Sequence, residues 1–207
     1  NWILSELGFL ALILHVCIFA LRRFPKRREA PPVEFVFIAF GLLHAIAGGL
    51  LILYPLPGFA KLGQRMVEQG MLLSFIMGIG PYLGPRLLAP SRPRVPQSSA
   101  HRLTLYTLAG LALMLSFWIE SGPSEQLGKL LRALVVSAHL LRAIPIFRPP
   151  VNPLWHLRFL WLSFWCVIGG LWLAGFFPDY EIAALHVTFI GGFALLTMTV
   201  ATRVVVA

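Results

Sequence analysis

Apolar residues form long runs along this chain, and short stretches of charged residues, Pro and Gly separate them. A helix needs roughly 20 mostly apolar residues to cross a bilayer, at a rise of about 1.5 Å per residue. The pattern predicts seven spans, at residues 2–21, 35–54, 66–88, 103–119, 127–147, 157–177 and 182–206. We therefore expect an all-α polytopic transmembrane helix bundle that forms a single domain over residues 1–207.

Polar residues and helix breakers enter two of the seven predicted spans. Glu68 and Gln69 lie near the start of the third span, and several Gly and Pro residues interrupt its second half. Lys129, Arg132 and Arg142 enter or flank the fifth span. Such interruptions are tolerated in a membrane where neighbouring helices or water satisfy the freed backbone groups, so both segments remain predicted spans.

The composition supports this fold class. Hydrophobic residues make up 58% of the chain and charged residues 12%, which is far from the balance of a soluble domain. The net charge of +9 is accounted for by loops that face the cytoplasm and by attraction to anionic lipid of the inner leaflet. The lipid bilayer is therefore the expected partner, and the basic charge predicts no nucleic-acid partner.

The Lys and Arg residues are divided unequally between alternate connections. One side receives twelve of them: Arg22, Arg23, Lys26, Arg27, Arg28, Arg86, Arg92, Arg94, Arg102, Arg142, Arg148 and Arg158. The other side receives four: Lys61, Arg65, Lys129 and Arg132. Because short cytoplasmic loops collect Lys and Arg, we expect the N-terminus outside and the C-terminus in the cytoplasm.

Four histidines lie inside the predicted spans, where an imidazole needs a partner to offset its desolvation. Ionisable residues in spans mark functional sites, and imidazole is the commonest metal ligand. Counted by helical rise, His15, His44 and His139 fall within roughly 4–5 Å of one level. A haem b held between two such imidazoles is sterically plausible, so these three residues are candidate haem ligands. A hydrogen bond to a carbonyl or hydroxyl group across a helix pair is the alternative for each.

Three further residues extend this hypothesis. Arg142 lies one turn after His139 and is a candidate contact for a haem propionate, with lipid phosphate as the favoured alternative. His186 lies roughly 12 Å above the level of His15 and His139, so it is a candidate ligand of a second metal centre together with Glu68. The alternatives are helix packing for His186 and interfacial solvation for Glu68.

Two segments carry a pattern of a known family. The first is RMVEQGMLLSFIMGIG at residues 65–80, followed by GPRLL at residues 84–88, and the second is ALHVTFIGGFALLTMTVATRV at residues 184–204. Both resemble helices of the NnrS family, and the second is similar to the last helix of that family. The resemblance extends from about residue 34 to the end of the chain.

The resemblance implies a polytopic protein of the bacterial inner membrane that acts in the response to nitric oxide or in protection from nitrosative stress. It implies haem b as cofactor, copper as a further metal, and nitric oxide as a small-molecule ligand. It does not indicate which histidines bind them. Family members are longer, and this chain begins without Met and ends within an apolar run, so we expect a C-terminal fragment of a longer protein.

Two other classes of function are compatible with the same residues. A membrane transporter or permease would use intramembrane His and Glu residues to relay protons instead of holding a metal. A metal-free structural subunit would use them for helix packing alone. The sequence assigns no enzymatic reaction to the chain.

Overall fold

The computed structural model describes residues 2–26, 31–54, 58–89, 99–150 and 154–206. The described residues form helices and connecting turns, without strands, which confirms the all-α fold class. The helices are α1 (Trp2–Arg23), α2 (Val36–Leu53), α3 (Ala60–Leu88), α4 (Ser99–Ser121), α5 (Glu125–Ala143), α6 (Trp155–Phe176) and α7, which comprises Glu181–His186, Val187–Ala194 and Leu195–Val206.

Six of the described helices are long and apolar enough to cross a membrane, namely α1, α2, α3, α4, α6 and α7. The fifth predicted span corresponds to α5, which is not among them because Lys129, Arg132 and Arg142 lie within it. Two of these side chains, those of Lys129 and Arg132, are nevertheless buried inside the protein. Charges that face other helices do not have to be solvated by lipid, so low hydropathy does not remove α5 from the bundle.

Helix α5 lies beside α3 over at least two turns. Arg132 contacts Gln69 at one level, and His139 contacts Met77 at another. The later residue of α5 contacts the later residue of α3, so the two helices run parallel. Because α3 is one of the apolar spans, the segment of α5 from Arg132 to His139 occupies the same depth as the middle third of α3.

The core of the bundle lies between α2, α3, α4, α5 and α6, whose inward faces contribute fully buried side chains such as Phe37, Met77, Leu113, Leu140 and Phe164. The first and last helices are peripheral. Helix α1 packs mainly on α2, and α7 packs mainly on α6. In α1, Ile13 is the single buried side chain of the helix.

Two helices contain a stretch of π-helix, in which each backbone N–H bonds to a carbonyl five residues earlier. The first covers Met66–Met71 in α3, and the second covers Val187–Ala194 in α7. The π-helical turn of α3 follows a close crossing of α2 and α3. A Cβ atom on Gly48 would lie 2.7 Å from the Gly63 carbonyl oxygen, and a Cβ on Gly63 would lie equally close to the Gly48 oxygen. Gly48 and Gly63 therefore allow the backbones of α2 and α3 to approach each other closely.

The position of α5 gives a direct test of topology. We expect reporter fusions after Lys26 and Arg148 to lie in the cytoplasm and fusions after Gly122 and Pro178 to lie on the opposite side. The reason is that the connections richest in Lys and Arg should stay in the cytoplasm. The pair Gly122 and Arg148 flanks α5, so finding both reporters on one side would show that α5 does not cross the membrane.

Candidate functional site

His44 is the most deeply buried of the predicted site residues. It lies in the middle of α2 and is 0% exposed. Its Nδ1 lies 2.8 Å from the Phe40 carbonyl oxygen one turn earlier. Because a carbonyl can only accept, Nδ1 carries the proton and donates it, which leaves the lone pair on Nε2. That Nε2 is buried and has no hydrogen-bond partner among the described residues.

The π-helical turn of α3 forms one wall beside the His44 ring. A Cβ atom on Gly70 would lie 2.5 Å from the ring carbon Cδ2 and 3.2 Å from Nε2, so only glycine leaves room for the imidazole there. The Ser74 hydroxyl donates to the Gly70 carbonyl at 2.7 Å and lies 3.4 Å from Nδ1. On another side, the rings of His44 and Phe117 meet edge to face with centroids 5.5 Å apart.

His139 is also buried, but its ring is engaged with the protein. Its Nε2 lies 2.9 Å from the Met77 carbonyl oxygen, to which it donates. The rings of Phe37 and Tyr106 contact it at centroid distances of 4.6 and 4.9 Å. Phe37 precedes His44 by seven residues on α2, which is about 10 Å of helical rise. The two buried imidazoles therefore lie about two turns apart, farther than depth counting along the sequence placed them.

His15 lies level with His44 but faces outward. A Cβ atom on Gly49 would lie 2.7 Å from the Leu10 side chain, so these two residues lie at the same level of α1 and α2. His15 follows Leu10 by five residues and His44 precedes Gly49 by five, so His15 lies opposite His44. The His15 side chain is nevertheless exposed on the surface of the bundle. Arg142, at the end of α5, is exposed as well. The structure thus brings neither residue into the surroundings of His44.

The two residues of the predicted second centre lie on helices that share no extensive contact. Glu68 is exposed on α3 and accepts a hydrogen bond from the Gln64 side chain at 2.8 Å. His186 is exposed on α7, and its Nδ1 donates to the Ile182 carbonyl at 2.7 Å. Helix α7 packs mainly on α6. A centre shared by Glu68 and His186 stays a proposal.

A buried ion pair that the sequence analysis did not anticipate lies next to His44. The Glu120 and Arg132 side chains are 0% and 3% exposed and bond to each other. Arg132 also donates to the Gln69 side-chain oxygen, and its guanidinium lies 3.9 Å from the centroid of the Phe117 ring. Arg65 places a second cation 3.1 Å from Glu120. The three charged residues and Gln69 connect α3, α4 and α5 around Phe117.

Further ion pairs lie between Glu120 and the end of the bundle where α5 and α7 begin. Lys129 donates to Glu125 at 2.8 Å and to Glu181 at 2.7 Å. The hydrogen bond from Lys129 holds the pKa of the Glu125 carboxyl below its usual range, and Arg65 contributes in the same direction. Oxygens of Glu120, Glu125 and Glu181 lie within 4.8 Å of one another. Since Lys129 and Arg65 already pair with these carboxylates, we assign them to ion pairing between helices.

The sequence contains one signal for this cluster. Glu120 and Arg132 lie on either side of the short turn between α4 and α5, so the two helices must pack antiparallel. Gly128 marks their closest approach, because a Cβ there would lie 2.5 Å from the Glu120 backbone nitrogen. Opposite charges on both sides of a tight helical hairpin can pair across it. Taken singly, each charge resembled a residue at the boundary of a span.

The comparisons with known proteins identify one family. Its family model, described as "NnrS protein", matches residues 2–207, nearly the whole chain. No curated protein and no solved structure matches the chain.

Proposed function

The chain belongs to the NnrS family, and from this premise we propose that it is a haem-binding membrane protein that acts in the response to nitric oxide, with His44 as the axial ligand. The observation that carries the assignment is the buried, unpartnered Nε2 of His44. Metal-binding histidines commonly donate their other ring N–H to a backbone carbonyl, which fixes the tautomer and directs the lone pair. The bond from His44 Nδ1 to Phe40 has this arrangement.

A single histidine favours haem over a protein-held copper ion at this position. A metal ion without a macrocycle usually needs three or four protein ligands. Among the described residues, the one group of three or more His, Cys, Asp or Glu side chains with converging ligand atoms is that of Glu120, Glu125 and Glu181. It contains no histidine. A porphyrin supplies four nitrogens itself, so it requires only an axial imidazole from the protein.

The other two histidines of the predicted haem layer fit a second axial position less well. His139 donates from Nε2 to Met77, so only its Nδ1 could coordinate, and the rings of Phe37 and Tyr106 pack against that imidazole. The His15 side chain faces away from the bundle. If His44 were the sole protein ligand, the haem that it would hold could supply an iron that binds a diatomic molecule such as nitric oxide. Nitric oxide is small and apolar, so it can reach a buried site through the lipid.

The remaining assignments from the sequence belong to the same proposal. We place the protein in the bacterial inner membrane, with the N-terminus outside and the C-terminus in the cytoplasm. Copper is proposed as a second metal at His186 and Glu68, whose exposed side chains would need further ligands to complete a site. Arg142 is exposed and lies away from His44, so we propose lipid phosphate as its contact instead of a haem propionate.

A transporter that relays protons is the second candidate function. The observation in its favour is the buried pair of Glu120 and Arg132 within a membrane bundle, because ionisable residues inside membrane proteins mark ion and proton pathways. In such a transporter, intramembrane His and Glu residues would carry the protons. The structure adds Glu120 as the buried carboxylate nearest to such a role.

An absorption spectrum of the detergent-purified protein separates the two functions. We expect a Soret band that shifts on reduction and an α band in the reduced state, together with iron in the metal analysis. Nitric oxide added to the reduced protein should shift the Soret band further. A purified, folded protein without iron and without a Soret band would contradict the haem proposal and favour the transporter, whereas copper in the same metal analysis would support the second metal.

A further inference from the structure

We propose that Arg132 is a positioning residue of the His44 site, which it controls through Gln69 and the π-helical turn of α3. The inference rests on the proposed function in that it takes His44 as the ligand. Arg132 does not contact the imidazole in the structure. It acts on the two groups that do, namely the turn that contains Gly70 and the ring of Phe117.

The first connection runs through α3. Arg132 donates to the Gln69 side chain, and Gln69 precedes Gly70 inside the π-helical turn Met66–Met71. Gly70 is the residue that lies against Cδ2 and Nε2 of His44. A π-helical turn is rarer than an α-helical one and is frequently found at functional sites. The bond from Arg132 connects this turn to α5 at the residue next to Gly70.

The second connection runs through α4. The Arg132 guanidinium lies over the Phe117 ring at 3.9 Å, and the same ring meets the edge of His44 at 5.5 Å. Phe117 is fully buried between the two. Glu120, one turn further along α4, holds the guanidinium in place by the ion pair. Arg132 therefore fixes both walls of the His44 ring at once.

The geometry requires arginine and not merely a positive charge. One terminal nitrogen of Arg132 donates to Gln69 and the other donates to Glu120, while the planar group stacks on Phe117. A lysine ammonium is a single point charge that cannot span both acceptors and stack as well. Groups that hydrogen-bond a metal ligand directly commonly change metal affinity by about 10–100-fold when they are removed, and Arg132 acts one contact further out, so we expect an effect at the lower end of that range.

The test uses Gln69, because removal of the buried Arg132 would leave Glu120 unpaired and endanger folding. Gln69→Leu removes the acceptor but keeps the ion pair. Gln69→Glu keeps an oxygen that can accept from Arg132 and serves as the conservative rescue. Gln64→Leu is the matched control, since Gln64 lies on the same helix but bonds to the exposed Glu68.

Two readouts are needed, and one of them requires no haem. In haem-free protein labelled at histidine, we expect the ring resonance that is lost in His44→Ala to shift in Gln69→Leu and to stay in place in Gln64→Leu and Gln69→Glu. In haem titrations we expect Gln69→Leu to weaken affinity by about tenfold, with near-normal affinity for the other two. Thermal unfolding of each variant separates these changes from general loss of structure.

The outcomes distinguish the two proposals. If the wild-type protein binds no haem while the His44 resonance still shifts in Gln69→Leu, the haem function fails and the positioning role of Arg132 stands. If Gln69→Leu leaves both the His44 resonance and the haem affinity at wild-type values, the positioning role is overturned. Equal shifts of the resonance in Gln69→Leu and Gln64→Leu would overturn it too.

Discussion

Replacement of His44 by Ala should abolish the Soret band of the purified protein, because it removes a fully buried imidazole whose Nε2 has no partner within the described chain. The change leaves a cavity next to Gly70 and Phe117, and loss of a buried side chain of this size destabilises a protein by about 2–5 kcal/mol. The measurement is the ratio of Soret to protein absorbance, together with iron content, in protein that elutes as a single folded species.

Two control variants make the His44 result specific. His101→Ala changes an exposed residue and should leave the spectrum intact. His139→Ala removes the other buried imidazole, whose Nε2 donates to Met77, and should leave the Soret band in place if His44 is the sole protein ligand. Retention of the band in His44→Ala with its loss in His139→Ala would assign the haem to the neighbourhood of Phe37 and Tyr106 instead.

Breaking the buried ion pair should give the largest loss of stability. Arg132→Met leaves the Glu120 carboxylate without its main partner at a site that is 0% exposed, and removal of one member of a buried pair destabilises by about 3–5 kcal/mol. Thermal unfolding in detergent, followed by intrinsic fluorescence, measures the change. Arg102→Met is the matched control, because the pair of Arg102 and Glu34 is partly exposed and contributes about 0–1 kcal/mol.

The double variant of Glu120→Leu with Arg132→Leu tests the physical cause. Replacement of both members by apolar residues removes the desolvation of two charges together with their attraction, so most of the lost stability should return. If the double variant is as unstable as Arg132→Met alone, the contacts of Arg132 with Gln69 and Phe117 contribute more than the ion pair itself.

Much of the fold follows from the long apolar runs of the sequence, and the one helix that departs from this pattern, α5, does so for a physical reason. The bilayer requires long apolar helices, so the six strongly apolar segments were predictable from composition alone. Helix α5 was harder to assign because hydropathy treats every residue as if it faced lipid. Lys129 and Arg132 face other helices and find carboxylate partners there, which is a property of packing and not of composition.

The surroundings of each histidine could not be predicted in the same way. Depth along a helix follows from the residue number, and the contact between Leu10 and the Gly49 position is compatible with the predicted shared level of His15 and His44. The direction of a side chain depends on which face of the helix is covered, and this separates the exposed His15 from the buried His44. Depth counting placed His139 within roughly 4–5 Å of the level of His44, whereas in the structure its ring packs against Phe37, seven residues before His44 on α2.

The π-helical turn of α3 has the same effect as the insertion of one residue into an ordinary helix. Each residue of an α-helix turns the chain by about 100°, so an uninterrupted helix of the same sequence would present the second half of α3 rotated by that angle relative to the first. Gly70 could then face His44 only if the Met77 carbonyl turned away from His139. A single extra residue in Met66–Met71 thus lets one helix serve two histidines on different neighbours, and an alignment should show a gap of one position in any related chain whose helix is regular there.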